Sequence, residues 1–265
     1  MSSAPLPQVV LSLSLLAAAW LSTPACAQQE IKVGAVHFPP YTVRPEQGAD
    51  SGLLPQLVEA LNRLQHDYRF VLVPTSIPRR FRDFEEGRID MAIFENPEWG
   101  WKSIRHVDVD MGLEDAEVFV TRKTDQRDQR YFDELTHKRL ALFSGYHYAF
   151  AGFNADREYL TGHFNATLTY SHDSNLLMVQ RDRADIALVT RSYLSDFLQR
   201  NRKYQDQFLT SENVDQVYHH YALLRPEAAI SGEAFAELLQ RLREGGQLLK
   251  IFQPYQIKVS EVHAD

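Results

Sequence analysis

Gly87-Arg88-Ile89-Asp90-Met91-Ala92-Ile93-Phe94 and Asp182-Arg183-Ala184-Asp185-Ile186-Ala187-Leu188-Val189 are one phrase written twice. Each copy reads as the end of a polar helix, a turn built on Gly or Asp, and a short apolar run suited to a strand buried on both faces. Two similar α/β halves are implied. When two such lobes lie side by side, the cleft between them is the usual place for a small ligand.

Working outward from the first copy, Ile31 to His37 alternates and is stopped by Phe38-Pro39-Pro40-Tyr41. Asp50-Ser51-Gly52 can cap a helix with Leu54, Leu57, Val58, Leu61 and Leu64 at helical spacing, and Pro55 is tolerated in its first turn. Tyr68 to Val73 reads as a second strand, Arg79 to Glu86 as a short helix packed through Phe81 and Phe84, and Met91 to Phe94 as a third strand. That β-α-β-α-β order makes parallel strands by right-handed crossovers.

Around the second copy, Arg139 to Phe143 reads as a strand, followed by a Ser144-Gly145 break and a helix ending near Gly152. Thr167 to Tyr170 is a strand, Asp173 or Ser174 caps a helix through Leu176, Leu177 and Val179, and Ile186 to Val189 is the repeated strand. Tyr193 to Arg200 is helical, 201–216 is loop-rich, and Val217 to Leu224 is a strand. A last helix begins at Ser231, carries Phe235, Leu238, Leu239 and Leu242 on one face, and ends at Gly245-Gly246. It is expected to pack back on the first lobe, so that the chain crosses between lobes near Val120 to Arg122 and again near Tyr221 to Leu224. Two crossing strands make a hinge.

The first 27 residues carry no Lys, Arg, Asp or Glu, and Val9 to Leu21 is nearly continuously apolar before Ala25-Cys26-Ala27. This is the pattern of a secretory signal cleaved after Ala27, although no Lys or Arg precedes the apolar run. Cys26 opens the alternative of a lipid anchor, against which Thr23 stands where a lipoprotein signal wants Leu. The chain's one cysteine is in that segment, so no disulfide or thiol chemistry is expected beyond it, and a bacterial periplasm fits. The formal charge is −7, and no basic stripe occurs beyond Arg79-Arg80-x-Arg82, which argues against nucleic acid as a partner.

The order Phe38-Pro39-Pro40-Tyr41, Gly52-Leu53-Leu54, Glu86-Gly87-Arg88-Ile89-Asp90, Gly246-Gln247-Leu248 and Ile251-Phe252 resembles the extracellular solute-binding proteins of family 3. These are periplasmic receptors of polar amino acid ABC transporters, and the likeness spans about residues 30–255. The resemblance implies an α/β fold of the two-lobed periplasmic binding protein type II, each lobe a mostly parallel sheet flanked by helices, with a two-strand hinge and a ligand cleft. The expected division is a signal at 1–27, a discontinuous first lobe of 28–121 plus 222–265, and a second lobe of 122–221.

The family's capture of an amino acid uses an Arg after the third strand for the carboxylate and an acidic residue after the second-lobe strand for the ammonium. Here Asn96-Pro97-Glu98-Trp99 places Trp99 at the first position, and Thr190 stands at the second. An aromatic ring does not replace a guanidinium fork, so a standard α-amino acid in the standard pose is not expected.

The candidate ligand residues are Phe38 and Tyr41 after the first strand, and Glu95, Asn96 and Trp99 at the carboxyl end of the third. Arg79 and Arg80 open the short helix near the same edge, where they hold an anionic group or simply stay solvated. Ser144, Tyr146 and His147 occupy the turn that the family uses at a helix start, and Thr190 and Arg191 close the repeated strand. His219 and His220 are strand neighbours that point to opposite faces, so no metal is expected. No cofactor is expected either, because no phosphate-cradling Gly loop, dinucleotide fingerprint or nucleophile motif occurs.

The leading reading is a monomeric binding protein with no chemistry of its own, which captures a small polar, anionic or aromatic molecule and presents it to an inner-membrane ABC permease. Two alternatives stand beside it. One is a ligand sensor for a membrane signalling protein; the other is a secreted enzyme similar to cyclohexadienyl dehydratases, with Glu95 or Glu98 as general acid.

Overall fold

Both copies of the repeated phrase make the same local structure in the computed structural model, which describes residues 28–48 and 51–260. In the first copy Gly87 takes a left-handed φ of 72°, and the Asp90 carboxylate accepts a hydrogen bond from the Lys32 amide at 2.9 Å. In the second, Asp182 takes a φ of 54°, and the Asp185 carboxylate accepts from the Arg139 amide at 2.8 Å. Each Asp thereby pins the strand that opens its own lobe. The left-handed residue lets the helix end fold back, so that the next amides reach the Asp83 carbonyl in one copy and the Met178 carbonyl in the other.

In chain order the elements are β1 (Gln29–Ala35), α1 (Leu53–Leu64), β2 (Tyr68–Pro74), α2 (Arg80–Glu85), β3 (Met91–Glu95) and β4 (Val107–Arg122). They continue with β5 (Leu140–Phe143), α3 (Arg157–Phe164), β6 (Ala166–Thr169), α4 (His172–Gln180), β7 (Ile186–Thr190), α5 (Arg191–Arg200), β8 (Phe208–Leu224), α6 (Gly232–Glu244), α7 (Gln247–Phe252) and β9 (Lys258–Val259). The strands run β2-β1-β3-β8-β4-β7-β5-β6 across one sheet, with β9 beside β4. β1 is parallel to β2 and β3, and β5 is parallel to β6 and β7, as the crossovers require. β4 and β8 are antiparallel to each other and join the two parallel sets.

Successive strand residues face opposite sides, and in both lobes both sides are buried. Val118, Val120, Ala141, Ala187 and Val189 enter one core, while Phe119, Leu140, Leu142, Ile186 and Leu188 enter another. In the first lobe Met91, Ile93, Ala222 and Leu224 face α1 and α6, and Ala92 and Leu223 face Trp101 and Phe84. α6 returns to the first lobe with Phe235, Leu238, Leu239 and Leu242 in its core, and Ser231 caps it by accepting from the Ala234 amide.

Four local expectations need correction. The segment 208–216 is strand, because β8 borrows its ladder from β4 although Glu212, Asn213 and Asp215 are poor strand formers. The helix expected from Ser144 to Gly152 is only a short turn at Ala149–Ala151, whose first amides donate to Asp215; the helix of that unit is α3, capped by Asp156. α4 is capped by Ser171 rather than Asp173 or Ser174, and α1 starts at Gly52 without a side-chain cap. Along β4, Leu113 packs in the cluster that holds α1 and α6, and Val118 and Val120 pack in the one that holds α4 and α5. The expected signal and Cys26 lie outside the described residues, as does Asp50.

Candidate functional site

A cavity opens where the first lobe, the paired strands β4 and β8 and the second lobe meet. It is lined by Phe38, Tyr41, Ile77, Arg80, Glu95 and Trp99 from the first lobe, Glu117 and Gln216 from the crossing strands, and Gly145, Tyr146 and His147 from the second. The lobes touch across it. The Phe38 and Tyr146 rings meet edge to face at 5.3 Å, and a Cβ on Gly145 would lie 3.4 Å from the Ile77 side chain. The cavity is partly open to solvent and has a volume of about 80 Å³, smaller than the roughly 150 Å³ of an apolar cavity that admits benzene.

The first wall is built by the loop after β1. Phe38 and Thr42 exchange backbone hydrogen bonds at 2.9 Å around a cis Pro39-Pro40 bond, and the Phe38 and Tyr41 rings stack at 4.8 Å. The first amides of α1 donate to the Pro40 and Tyr41 carbonyls, and Gly52 permits that approach with a φ of 117° and no Cβ, which would sit 2.5 Å from the Tyr41 oxygen. Tyr41 then ties the wall to the crossing strands: its hydroxyl donates to Asp115 at 2.7 Å and lies 2.7 Å from His220 Nε2. His220 is held neutral by burial, its pKa lowered to about 3.

At the end of β3, Phe94 sits at a left-handed φ of 63°, where the register against β8 slips between Ile93 and Glu95. A bulky residue in that region stores strain of the kind found at functional sites. The slip precedes Glu95, which accepts from Trp101 Nε1 at 2.9 Å and pairs with Arg80 at 2.7 Å. That contact is made by Arg80 Nε to Glu95 Oε1. The Arg80 guanidinium also donates to the Ile77 carbonyl at 2.5 Å and lies 4.2 Å from the Phe81 ring centre. Burial raises the Glu95 pKa and the Arg80 charge opposes the rise.

Glu117 is the other carboxyl of the cavity, 1 % exposed, and its Oε1 has no hydrogen-bond partner. Burial first, then the charges of Asp215 and Asp115, push its pKa well above the carboxylate range. Asp115, on the same face of β4, is furnished instead: it accepts from Tyr41, from the Ala116 amide at 2.8 Å and from the Ser192 amide at 3.3 Å. On the second lobe His147 is held neutral by burial and by Arg80, and the Tyr146 hydroxyl meets His172 at 3.1 Å.

Of the residues chosen from sequence, Phe38, Tyr41, Arg80, Glu95, Trp99, Tyr146 and His147 line the cavity. Arg79, Asn96, Ser144, Thr190 and Arg191 do not. Thr190 caps α5 by accepting from the Tyr193 amide at 3.1 Å, and its cross-strand partner Glu117 takes the place beside the cavity. Sequence reasoning passed over Glu117, Gln216 and Ile77. The available signal was one carboxyl set in the apolar run Ala116 to Val120. His220 is buried and His219 exposed, on opposite faces of β8. Among the described residues no cluster of three or more His, Cys, Asp or Glu is arranged to hold a metal, and no helix is long and apolar enough to cross a membrane.

No family model and no curated protein matches the chain. Solved structures do. A substrate-binding protein of an ABC uptake transporter from Streptococcus pneumoniae with bound histidine is 18% identical over 85% of this chain and 92% of its own, with a TM-score of 0.65. The GluR0 ligand-binding core from Nostoc punctiforme in complex with (L)-glutamate is 13% identical over 85% and 98%, with a TM-score of 0.63. A histidine kinase sensor domain with similarity to periplasmic binding proteins is 17% identical over 86% and 96%, with a TM-score of 0.62. At these identities the likeness establishes the fold: this chain has the two-lobed architecture of periplasmic binding proteins.

Proposed function

We propose that this protein is an exported solute receptor that encloses a small polar molecule between its lobes and presents the closed form to a membrane partner, an ABC permease or a signalling protein. The observation that carries the reading is the small cavity walled from both lobes, with Phe38 against Tyr146 and Ile77 against Gly145. A ligand there touches both lobes and both crossing strands, so it binds the closed arrangement better than an open one. That difference in affinity is what drives closure. The neighbours with bound histidine and glutamate and the sensor domain support a binding role.

Both carboxyls considered from the sequence for acid catalysis are engaged. Glu95 is occupied by Arg80 and Trp101, and Glu98 is exposed and paired with Lys102 at 2.5 Å, so neither carboxyl considered for acid catalysis stands free beside a ligand. Thermal unfolding of the exported protein against pools of amino acids, organic acids, amines and aromatic metabolites tests the reading, because a ligand of the folded form alone raises the midpoint. A saturable shift from one class, with the compound recovered unchanged, is the expected result. A compound recovered altered would move the protein to the enzymes, and no shift with any pool would remove the receptor reading.

A further inference from the structure

Glu117 is a buried carboxyl that the fold leaves unprovided. Two residues earlier on the same face, Asp115 receives three hydrogen bonds; Glu117 Oε1 receives none. The charges that act on it, Asp215 and Asp115, have its own sign. The guanidinium across the cavity is committed elsewhere, to Glu95, the Ile77 carbonyl and the Phe81 ring. An isolated carboxyl in a closed apolar site is costly unless a cation or donor meets it. Nothing on the described walls meets Oε1, while Phe38 and Tyr146 turn aromatic surface into the same space, and such surface attracts cations.

We infer that the ligand is a small organic ammonium ion, whose N–H donates to Glu117 Oε1 while its carbon body lies against Phe38 and Tyr146. Resting on the receptor reading, this inference names the ligand class of that cavity. Arg80 and Glu95 already cancel each other's charge, so an ammonium ion that binds as Glu117 releases its proton leaves the cavity neutral as a whole. The same pairing leaves no guanidinium for a ligand carboxylate, so the ligand is an amine rather than an amino acid held at both ends. The cavity of about 80 Å³ suits a small ligand.

The test uses the purified protein and small probes: propylamine and 1,4-diaminobutane as cations, propanol as the neutral isostere of propylamine and propionate as the anion. Thermal midpoints and calorimetric titrations at pH 7 should show saturable binding of an amine at least 10-fold tighter than of either isostere. Glu117→Gln should weaken amine binding 30-fold or more and raise the midpoint of the ligand-free protein, since an unpaired buried carboxyl has been removed. Phe38→Leu should weaken amine binding several-fold.

Binding of propionate or propanol as tight as of the amines would overturn the inference while leaving the receptor reading in place, as would amine binding unchanged within 2-fold in Glu117→Gln. If that variant does not fold, the isostere comparison on the native protein decides alone. No response to these probes or to any wider ligand pool would overturn the receptor reading and this inference with it.

Discussion

Asp90 and Asp185 do the same work in the two lobes, yet five residues later Glu95 and Thr190 do opposite things. After β3 the chain slips register at Phe94, turns through Asn96 to Gly100, and leaves Glu95 in a buried pair with Arg80 at the cavity wall. After β7 it runs straight into α5, and Thr190 is consumed as that helix's cap. The repeat therefore carries the scaffold and not the site. The turn or helix that succeeds each strand decides which of the two strand ends displays a side chain to the cleft, and the unpartnered Glu117 comes from a crossing strand that belongs to neither copy.

The comparison breaks most visibly at Glu95. Glu95→Gln leaves the Arg80 guanidinium buried without its anion, at 5 % exposure, and should cost about 3–5 kcal/mol in denaturant unfolding. Thr190→Ala removes one helix cap and should cost about 1 kcal/mol. Equal losses would mean that the two strand ends are interchangeable after all.

Where the copies agree, removing the shared device should hurt equally. Asp90→Ala and Asp185→Ala each delete a charged acceptor for a strand amide and should each cost roughly 1.5–3 kcal/mol. With the sites in separate lobes, the double variant should add to within about 0.5 kcal/mol. Coupling well beyond that would show the lobes to be mechanically one unit.

Acid separates the lobes next. His172, buried in the second lobe among Phe143, Tyr146 and Tyr193, has its pKa lowered to about 3 by burial, then by the charge of His37. Its folded pKa lies below the unfolded value, so its contribution is full above pH 6.5 and is lost as pH falls from 6.5 toward 3. By pH 5 that loss is roughly 2 kcal/mol. Glu117, shifted the other way, gains stability over the same descent. Comparing unfolding of His172→Phe with the native chain from pH 7 to 5 isolates the histidine: the variant's curve should lack that loss, and parallel curves would refute the neutral imidazole.

The smallest effect lies at the turn itself. Asp182→Gly, which copies the first turn into the second, should stabilise by roughly 0.5 kcal/mol because Gly meets no penalty at a φ of 54°. The reverse exchange, Gly87→Asp, should cost about 1 kcal/mol, since its Cβ would also lie 2.7 Å from Arg225 Nη1. Paired thermal midpoints would check both signs.

Much of this was legible in the chain. The apolar runs fixed by the repeat, the glycine at the end of α6 and the aromatic pair bounded by prolines all became the elements or walls they suggested, because burial on both faces and backbone chemistry are written in local sequence. Residues 208–216 were not, since their strand exists only through the ladder with β4. Arg80 reads as an ordinary helix-surface cation beside Arg79 and Arg82, and only the packing shows it buried against Glu95, Phe81 and Trp101.

By itself, then, the sequence determined two α/β halves and the direction of their strands. The tertiary structure alone decided which charges are already paired. Asp115 and Glu117 look alike two positions apart in one strand, and they differ because Tyr41, the Ala116 amide and Ser192 reach the first while no donor reaches Oε1 of the second. Partners of a buried charge come from distant parts of the chain, and their presence is a matter of distance in space that no local pattern encodes.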